Sequence, residues 1–325
     1  MYGRIITTLV LILFLLPAAG PIFAAETWTL GQQEQWQSVS ENSQAGYMLA
    51  VSRLKELINQ GKVDELIAAV EQLKKDYPEI AGPDLDAFLE GEKQYAKGNL
   101  VKAIRAYDSF LTRYPQSALY EAALSRELDI ARAYLGGHKK TVLKIFKIKG
   151  YAEGVKIADN VIDRAGDSPI AVRASKAVAE SYEQRGLFEE AYERWSAIST
   201  RWPTGEIGKE ALLSMARTKH AAYRGPKYDA SNLVSAKSYY ENFQMRYPED
   251  ARRYEIGKRL EQITEQMAYK DYKIAEYYDR TGSDEAAKYY SDVIVEEWPR
   301  STAARMTKEN IIDKNEQAKA KQEKK

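Results

Sequence analysis

Four times in this chain a glycine is followed seventeen residues later by a proline: Gly61–Pro78, Gly98–Pro115, Gly186–Pro203 and Gly282–Pro299. The residue before each proline is aromatic: Tyr77, Tyr114, Trp202 and Trp298. Between the two breakers apolar residues recur at helical spacing. In the second copy they are Leu100, Ala103, Ile104, Tyr107, Phe110 and Leu111, one stripe along a helix. Proline cannot continue a helix, and it pushes the residue before it out of the α region. Each window therefore reads as one helix with its start and stop specified. Tyr247-Pro248 carries the same frame without the glycine, and Ser168-Pro169 carries a degraded copy with Ile157 and Val161. An earlier helix precedes the glycine in each copy, as in Leu85 to Ala96 and Val172 to Arg185. Six phased copies predict an all-α solenoid of five to six helix pairs, wound as a right-handed superhelix. A generic helical bundle that happens to place proline between helices gives no reason for a fixed spacing.

Composition narrows the chemistry. Helix interiors are free of proline: of ten prolines, Pro17 and Pro21 lie near the N-terminus, six close repeats, and only Pro83 and Pro226 remain. A formal net charge of +1 supplies no single-sign field to attract nucleic acid. The absence of cysteine removes disulfides, thiolate nucleophiles and Cys-ligated zinc together. His138 and His220 stand in no metal-ligand spacing, and no phosphate-cradling glycine loop occurs, so neither a metal nor another cofactor is expected.

The ends depart from the frame. Residues 1–25 read as a secretory signal, with Arg4, an apolar run from Ile5 to Leu16, and a small-residue stretch with cleavage after Ala24 or Ala25. The alternative is an uncleaved anchor, although the apolar run falls short of the roughly 20 residues needed to span a bilayer. Residues 26–45 read as a polar linker, 46–312 as the solenoid, and 313–325 as a charged, disordered tail. Two insertions interrupt the array, near 136–150 and 224–230. In the first, Val142, Leu143, Ile145, Phe146 and Ile148 interleave with five lysines. It fits either a loop capping the third helix pair or a contact with a partner or with an anionic membrane surface at its periphery. Ser117 is expected to cap the helix that runs to about Leu135, and a long helical stretch is expected from about Ala251 to Arg280.

Small residues flank each turn, Gly91 seven before Gly98 and Ala179 seven before Gly186. This pattern resembles the tetratricopeptide repeat, whose small, Tyr, Gly, aromatic, Ala, aromatic and Pro positions match Ala179, Tyr182, Gly186, Phe188, Ala191, Trp195 and Pro203. The second half resembles the BamD family, periplasmic subunits of the machinery that inserts β-barrels into the bacterial outer membrane. The most specific match is Ala275-Glu-Tyr-Tyr278 followed by Arg280 and Gly282, leading into Trp298-Pro299. The chain departs from that family in lacking the lipidated cysteine. The resemblance implies a non-enzymatic, exported scaffold, in the periplasm and held at the outer membrane through partners. Its N-terminal repeats would receive unfolded outer-membrane protein segments, and its C-terminal repeats would dock the barrel-insertion subunit. A periplasmic adaptor for cell-wall or division machinery is the alternative. An envelope enzyme or its accessory is a further one, because Glu180-Ser181 resembles a catalytic pair that some muramidases attach to a helical solenoid.

In tetratricopeptide folds the first helix of each pair lines a concave groove. By register with the turn glycine, the groove positions here include Phe88, Glu92 and Tyr95, then Lys176, Glu180 and Glu183, then Tyr269, Tyr272 and Glu276. Phe88 with Tyr95, and Tyr269 with Tyr272, are expected as exposed aromatics on a rigid surface, a residue type that carries binding energy disproportionately.

Overall fold

The aromatic–proline steps end helices as the phasing predicts. Tyr77, Tyr114, Trp202, Tyr247 and Trp298 adopt φ between −122° and −134° with ψ between 46° and 75°. The backbone N–H of each still donates to the carbonyl four residues back, at Leu73, Phe110, Ile198, Phe243 and Ile294. At the other end of the frame Gly61, Gly98, Gly186 and Gly282 sit at φ of 69° to 77°, the left-handed region that a Cβ disfavours. The computed structural model describes residues 28–30, 36–38, 41–142 and 146–322. The signal expected over 1–25 lies outside them.

The described residues divide into two compact units, with the boundary between Ala174 and Ser175. In the first unit a two-stranded hairpin, β1 (Trp28–Leu30) and β2 (Trp36–Ser38), precedes three helix pairs. The pairs are α1 (Glu41–Gln60) with α2 (Val63–Asp76), α3 (Pro83–Ala96) with α4 (Leu100–Arg113), and α5 (Tyr120–Leu135) with α6 (Tyr151–Ala165). Residues 26–45 are therefore not simply a linker, because the hairpin strands and the first turn of α1 fall inside them. Leu54, Leu57, Ile58, Leu66, Val70, Leu73 and Leu89 form one buried cluster. Each such side chain contributes on the order of 1.5–3 kcal/mol by leaving water. Small residues set how closely the paired helices approach. A Cβ on Gly91 would lie 2.3 Å from the Tyr107 ring, and one on Gly154 would meet the Ala131 carbonyl at 2.9 Å.

Two expectations for this unit change. The insertion 136–150 is an antiparallel hairpin, β3 (Lys139–Val142) and β4 (Phe146–Lys149), in the register Lys139↔Lys149 and Val142↔Phe146. Ser117 does not cap α5 directly. Its Oγ accepts from the Leu119 N–H at 3.2 Å and donates to Asp84 at 2.7 Å, holding the turn ahead of the helix.

The second unit begins inside α7 (Pro169–Gln184), which pairs with α8 (Phe188–Arg201). Next come α9 (Gly205–Ala222) with α10 (Ser231–Arg246), the short α11 (Pro248–Arg253), then α12 (Ile256–Arg280) with α13 (Asp284–Glu297), and the closing α14 (Thr302–Gln322). The sequence of first and second helices gives six tetratricopeptide-type pairs, and the fold class is the all-α one expected. Trp195, Phe243, Leu233, Ile256 and Ile263 are the largest fully buried side chains here. The excursion 224–230 is tied down by Lys270, whose ammonium donates to the carbonyls of Tyr228 (2.8 Å) and Pro226 (3.3 Å).

The expected continuous helix over 251–280 is broken. Glu255 has φ 54° and ψ 41°, the single non-glycine positive φ among the described residues, and it separates α11 from α12. The segment from 313 is not a disordered tail as far as Gln322. It continues α14, which is held to α12 by Asn310 with Tyr272 (3.1 Å) and by Lys314 with Asp279.

Candidate protein-binding surfaces

Some of the groove candidates are covered by neighbouring helices and others are exposed. In the first unit Phe88 is 2 % exposed, with its ring centroid 5.9 Å from that of Tyr107 and 5.7 Å from that of Phe110. It is a core residue and not a groove aromatic. Glu92 is wholly buried. Its two carboxylate oxygens accept from Arg126 Nε and Nη2, both at 2.8 Å, and one also accepts from the Tyr107 hydroxyl at 2.7 Å. Burial alone would lower the pKa of the Arg126 guanidinium, but the Glu92 carboxylate outweighs it and holds the pKa above the usual arginine value. Tyr95 is half-buried beneath that guanidinium, which lies 5.1 Å from its ring centroid. Two elements cover them: α4 of the same pair places Tyr107 and Phe110 over Phe88 and Tyr107 on Glu92, and α5 of the next pair brings Arg126 to Glu92 and Tyr95.

The same device recurs in the second unit. Lys176 on α7 pairs with Glu210 on α9 at 2.7 Å. Glu183 accepts from Arg217 Nη2 at 2.9 and 2.8 Å and from the Trp195 indole N–H. In each of these ion pairs, as in Glu92–Arg126, the partners lie thirty-four residues apart, one repeat length. They join the first helix of one pair to the first helix of the next. Glu180 is exposed, whereas Ser181 beside it is buried, so the two do not share an open site.

On α12 the candidates are less covered. Tyr269 is 43 % exposed and stacks on Tyr272, with centroids 6.2 Å apart and planes 16° from parallel. Glu276 pairs with Lys273 on the same helix, and that ammonium lies 5.9 Å from the Tyr269 ring centroid. Tyr277 and Tyr289 add exposed rings at 54 % and 64 %, next to the stacked pair Tyr278–Tyr290. Tyr269 and Tyr272 thus form one ring pair on α12, and Tyr277 and Tyr278 of α12 with Tyr289 and Tyr290 of α13 form a second aromatic group at the Ala275–Gly282 segment.

A cavity of about 510 Å³ opens between the first helices of the fifth and sixth pairs, α9 and α12. Arg217 and His220 enter from α9, and Arg259, Gln262 and Gln266 from α12. Tyr223, Tyr240, Tyr254, Leu213 and Ile256 supply its aromatic and aliphatic walls. Local chain geometry builds it. Gly208 lets α9 start against the Pro203 backbone, which a Cβ would meet at 2.5 Å. The left-handed turn at Glu255 sets Tyr254 and Ile256 on one wall. His220 Nε2 lies 2.9 Å from Gln266 Oε1, and its ring meets that of Tyr240 edge-on at 6.2 Å. Burial, and secondarily the Arg259 charge, lowers the His220 pKa despite the Gln266 hydrogen bond. The sequence did not single out Arg217 or Arg259. The signal that could have found Arg217 is the opposite charge one repeat after Glu183. Arg259 carries no comparable mark.

Among the described residues no group of three or more His, Cys, Asp or Glu could hold a metal ion, and no helix is long and apolar enough to cross a membrane. No curated protein matches the sequence. One solved structure that does is described as "PilW, widely conserved type IV pilus biogenesis factor". It is 16 % identical, with 82 % of this chain and 99 % of that one covered and a TM-score of 0.30. A family model of the tetratricopeptide repeat matches residues 88–117, the stretch from Phe88 on α3 through the turn that Pro115 opens, so the second helix pair is a tetratricopeptide repeat by sequence as well as by shape.

Proposed function

We propose that this chain is a non-enzymatic protein-binding scaffold of the BamD type, exported to the periplasm. In this reading its N-terminal pairs receive extended outer-membrane protein segments and its C-terminal pairs dock the barrel-insertion subunit. The observation that carries the reading is the tyrosine surface on α12 and α13. Exposed aromatics such as Tyr277 at 54 % and Tyr289 at 64 % are what a partner anchors on, and they lie at the Ala275–Gly282 segment that resembles the family. Stacked helix pairs supply the stiff support that keeps such a surface pre-organised. Photo-crosslinking from Tyr95 and from Tyr277 in intact cells tests it. Adducts with nascent barrel proteins at the first position and with the barrel-insertion subunit at the second are expected. Adducts restricted to cell-wall or division proteins would refute it.

A further inference from the structure

From Ile130 to Ala152 the chain carries Arg132 and five lysines and no aspartate or glutamate, although its net charge is only +1. Four of those lysines stand in β3 and β4. The register sorts the strand residues by face. Cross-strand partners share a face and successive residues alternate. Lys139–Lys149 and Thr141–Lys147 therefore stand on one face, and Lys140–Ile148 and Val142–Phe146 on the other. Lys139 and Lys149 are exposed, and Ile148, on the apolar face, is 49 % exposed. No third strand joins the ribbon among the described residues. Its base is fixed on the third helix pair. The Gly150 N–H donates to the His138 carbonyl at 2.9 Å, and a Cβ on Gly150 would meet the Tyr134 ring at 2.4 Å. A ribbon with lysines on one side and apolar residues on the other is the strand counterpart of an interfacial amphipathic helix. The residue types favour lipid over protein. Arginine is enriched at protein interfaces and lysine depleted, and these strands hold four lysines and no arginine. A lysine ammonium is a point charge, which suits headgroup phosphates that present no fixed geometry to match.

We propose that this ribbon lies on an anionic phospholipid surface, with the face of Val142, Phe146 and Ile148 against the acyl boundary and the lysine ammoniums among the headgroup phosphates. The long lysine stems keep the charges at headgroup level while the apolar face descends. The contact goes beyond the scaffold reading and is independent of which protein the helix pairs bind. It gives the third pair a peripheral hold on a membrane that requires no spanning helix.

Fluorescence of the full chain tests it. The chain has no cysteine, so Ile148→Cys accepts a single thiol-reactive NBD label, which reports on the ribbon and not on a contact made elsewhere. Vesicles of three parts phosphatidylcholine to one part phosphatidylglycerol should shift its emission to the blue, less so as salt rises, and vesicles of phosphatidylcholine alone should not. The same label at Thr141→Cys, on the opposite face, should shift less. Lys139→Gln should weaken binding about five-fold, and Lys139→Gln with Lys149→Gln about twenty-five-fold, from the attraction that each lysine loses. Lys139→Arg keeps the charge and should keep the affinity. Both lysines are exposed, so an unchanged melting curve confirms that the variants fold. The proposal is overturned if the Ile148→Cys label does not shift on anionic vesicles, shifts equally on phosphatidylcholine, or shifts no further than the Thr141→Cys label, or if the double glutamine variant binds as wild type does. It is also overturned if polyglutamate shifts the label as the vesicles do, which assigns the ribbon to an acidic protein. A shift that follows protein concentration without vesicles assigns it to a second copy and overturns it too. Crosslinks that persist from Tyr95 and Tyr277 in any of those cases would leave the scaffold reading standing without this contact.

Discussion

Replacing Glu92 by glutamine separates a staple between repeats from a groove contact. The carboxylate is wholly buried and accepts three hydrogen bonds, two from Arg126 and one from Tyr107. An amide keeps the volume and the Tyr107 bond. It also removes the charge and turns an NH₂ toward guanidinium donors, leaving buried Arg126 with only the more distant Asp129 carboxylate, at 3.7 Å, as an anion. Removing one partner of a buried pair costs about 3–5 kcal/mol, chiefly the desolvated charge left behind. For a unit of this size that corresponds to a fall in Tm of about 10 °C, at 2–4 °C per kcal/mol. Circular dichroism melts of the full chain would show it as an early transition of the first unit. Glu92→Leu with Arg126→Met removes both charges and should recover most of the loss. The coupling energy in the double-variant cycle should then be at least about 2 kcal/mol. A Glu92→Gln protein that melts within about 2 °C of wild type, or singles that simply add, would show that the pair does not join the repeats.

Stability of the first unit should fall as pH rises. Burial, helped by Asp108, pushes the Glu127 carboxyl up to about 8, because Arg164 stands 2.6 Å from Asp108 and only 3.4 Å from Glu127. The folded state therefore binds a proton that the unfolded chain releases near 4.5, so stability is lost between about pH 4.5 and 8. Glu127→Gln should flatten that slope, and urea midpoints across the range measure it. Gly91→Ala drives a methyl into the Tyr107 ring and should cost about 1–3 kcal/mol by overpacking, read from the same midpoints. Gly98→Ala meets nothing within 4 Å, yet it should cost about 1–2 kcal/mol because its φ of 72° is left-handed, which separates steric from conformational causes.

What was legible in the sequence is whatever breaker residues write. Proline and glycine act on their own backbone, so the ends of α2, α4, α8 and α13 could be read without knowing any neighbour. The break at Glu255 could not, because no glycine or proline marks it and a left-handed glutamate is imposed by the surrounding chain. The β3–β4 hairpin carried a signal that went unread: lysines alternating with apolar residues have the strand's period of two. For the candidate surfaces, the turn glycine fixed which face of α3, α7 and α12 was in question. It could not show that Phe88 and Glu92 would be covered, since covering depends on Tyr107 and Phe110 across the pair and, for Glu92, on Arg126 one repeat away. Tyr269 stayed exposed because α12 meets α14 through Tyr272 and Asp279 instead.

The recurring separation of thirty-four has a consequence for the lengths this chain tolerates. One residue inserted within α5 ahead of Arg126 would swing its guanidinium about 100° around the axis, away from Glu92. The same holds for Arg217 in α9. Growth or trimming inside those helices therefore uncouples adjacent hairpins. The ribbon at 139–149 and the strap at 224–230 lie outside any such clasp, so they are where a segment can be lengthened, shortened or tagged with the clasps still in register.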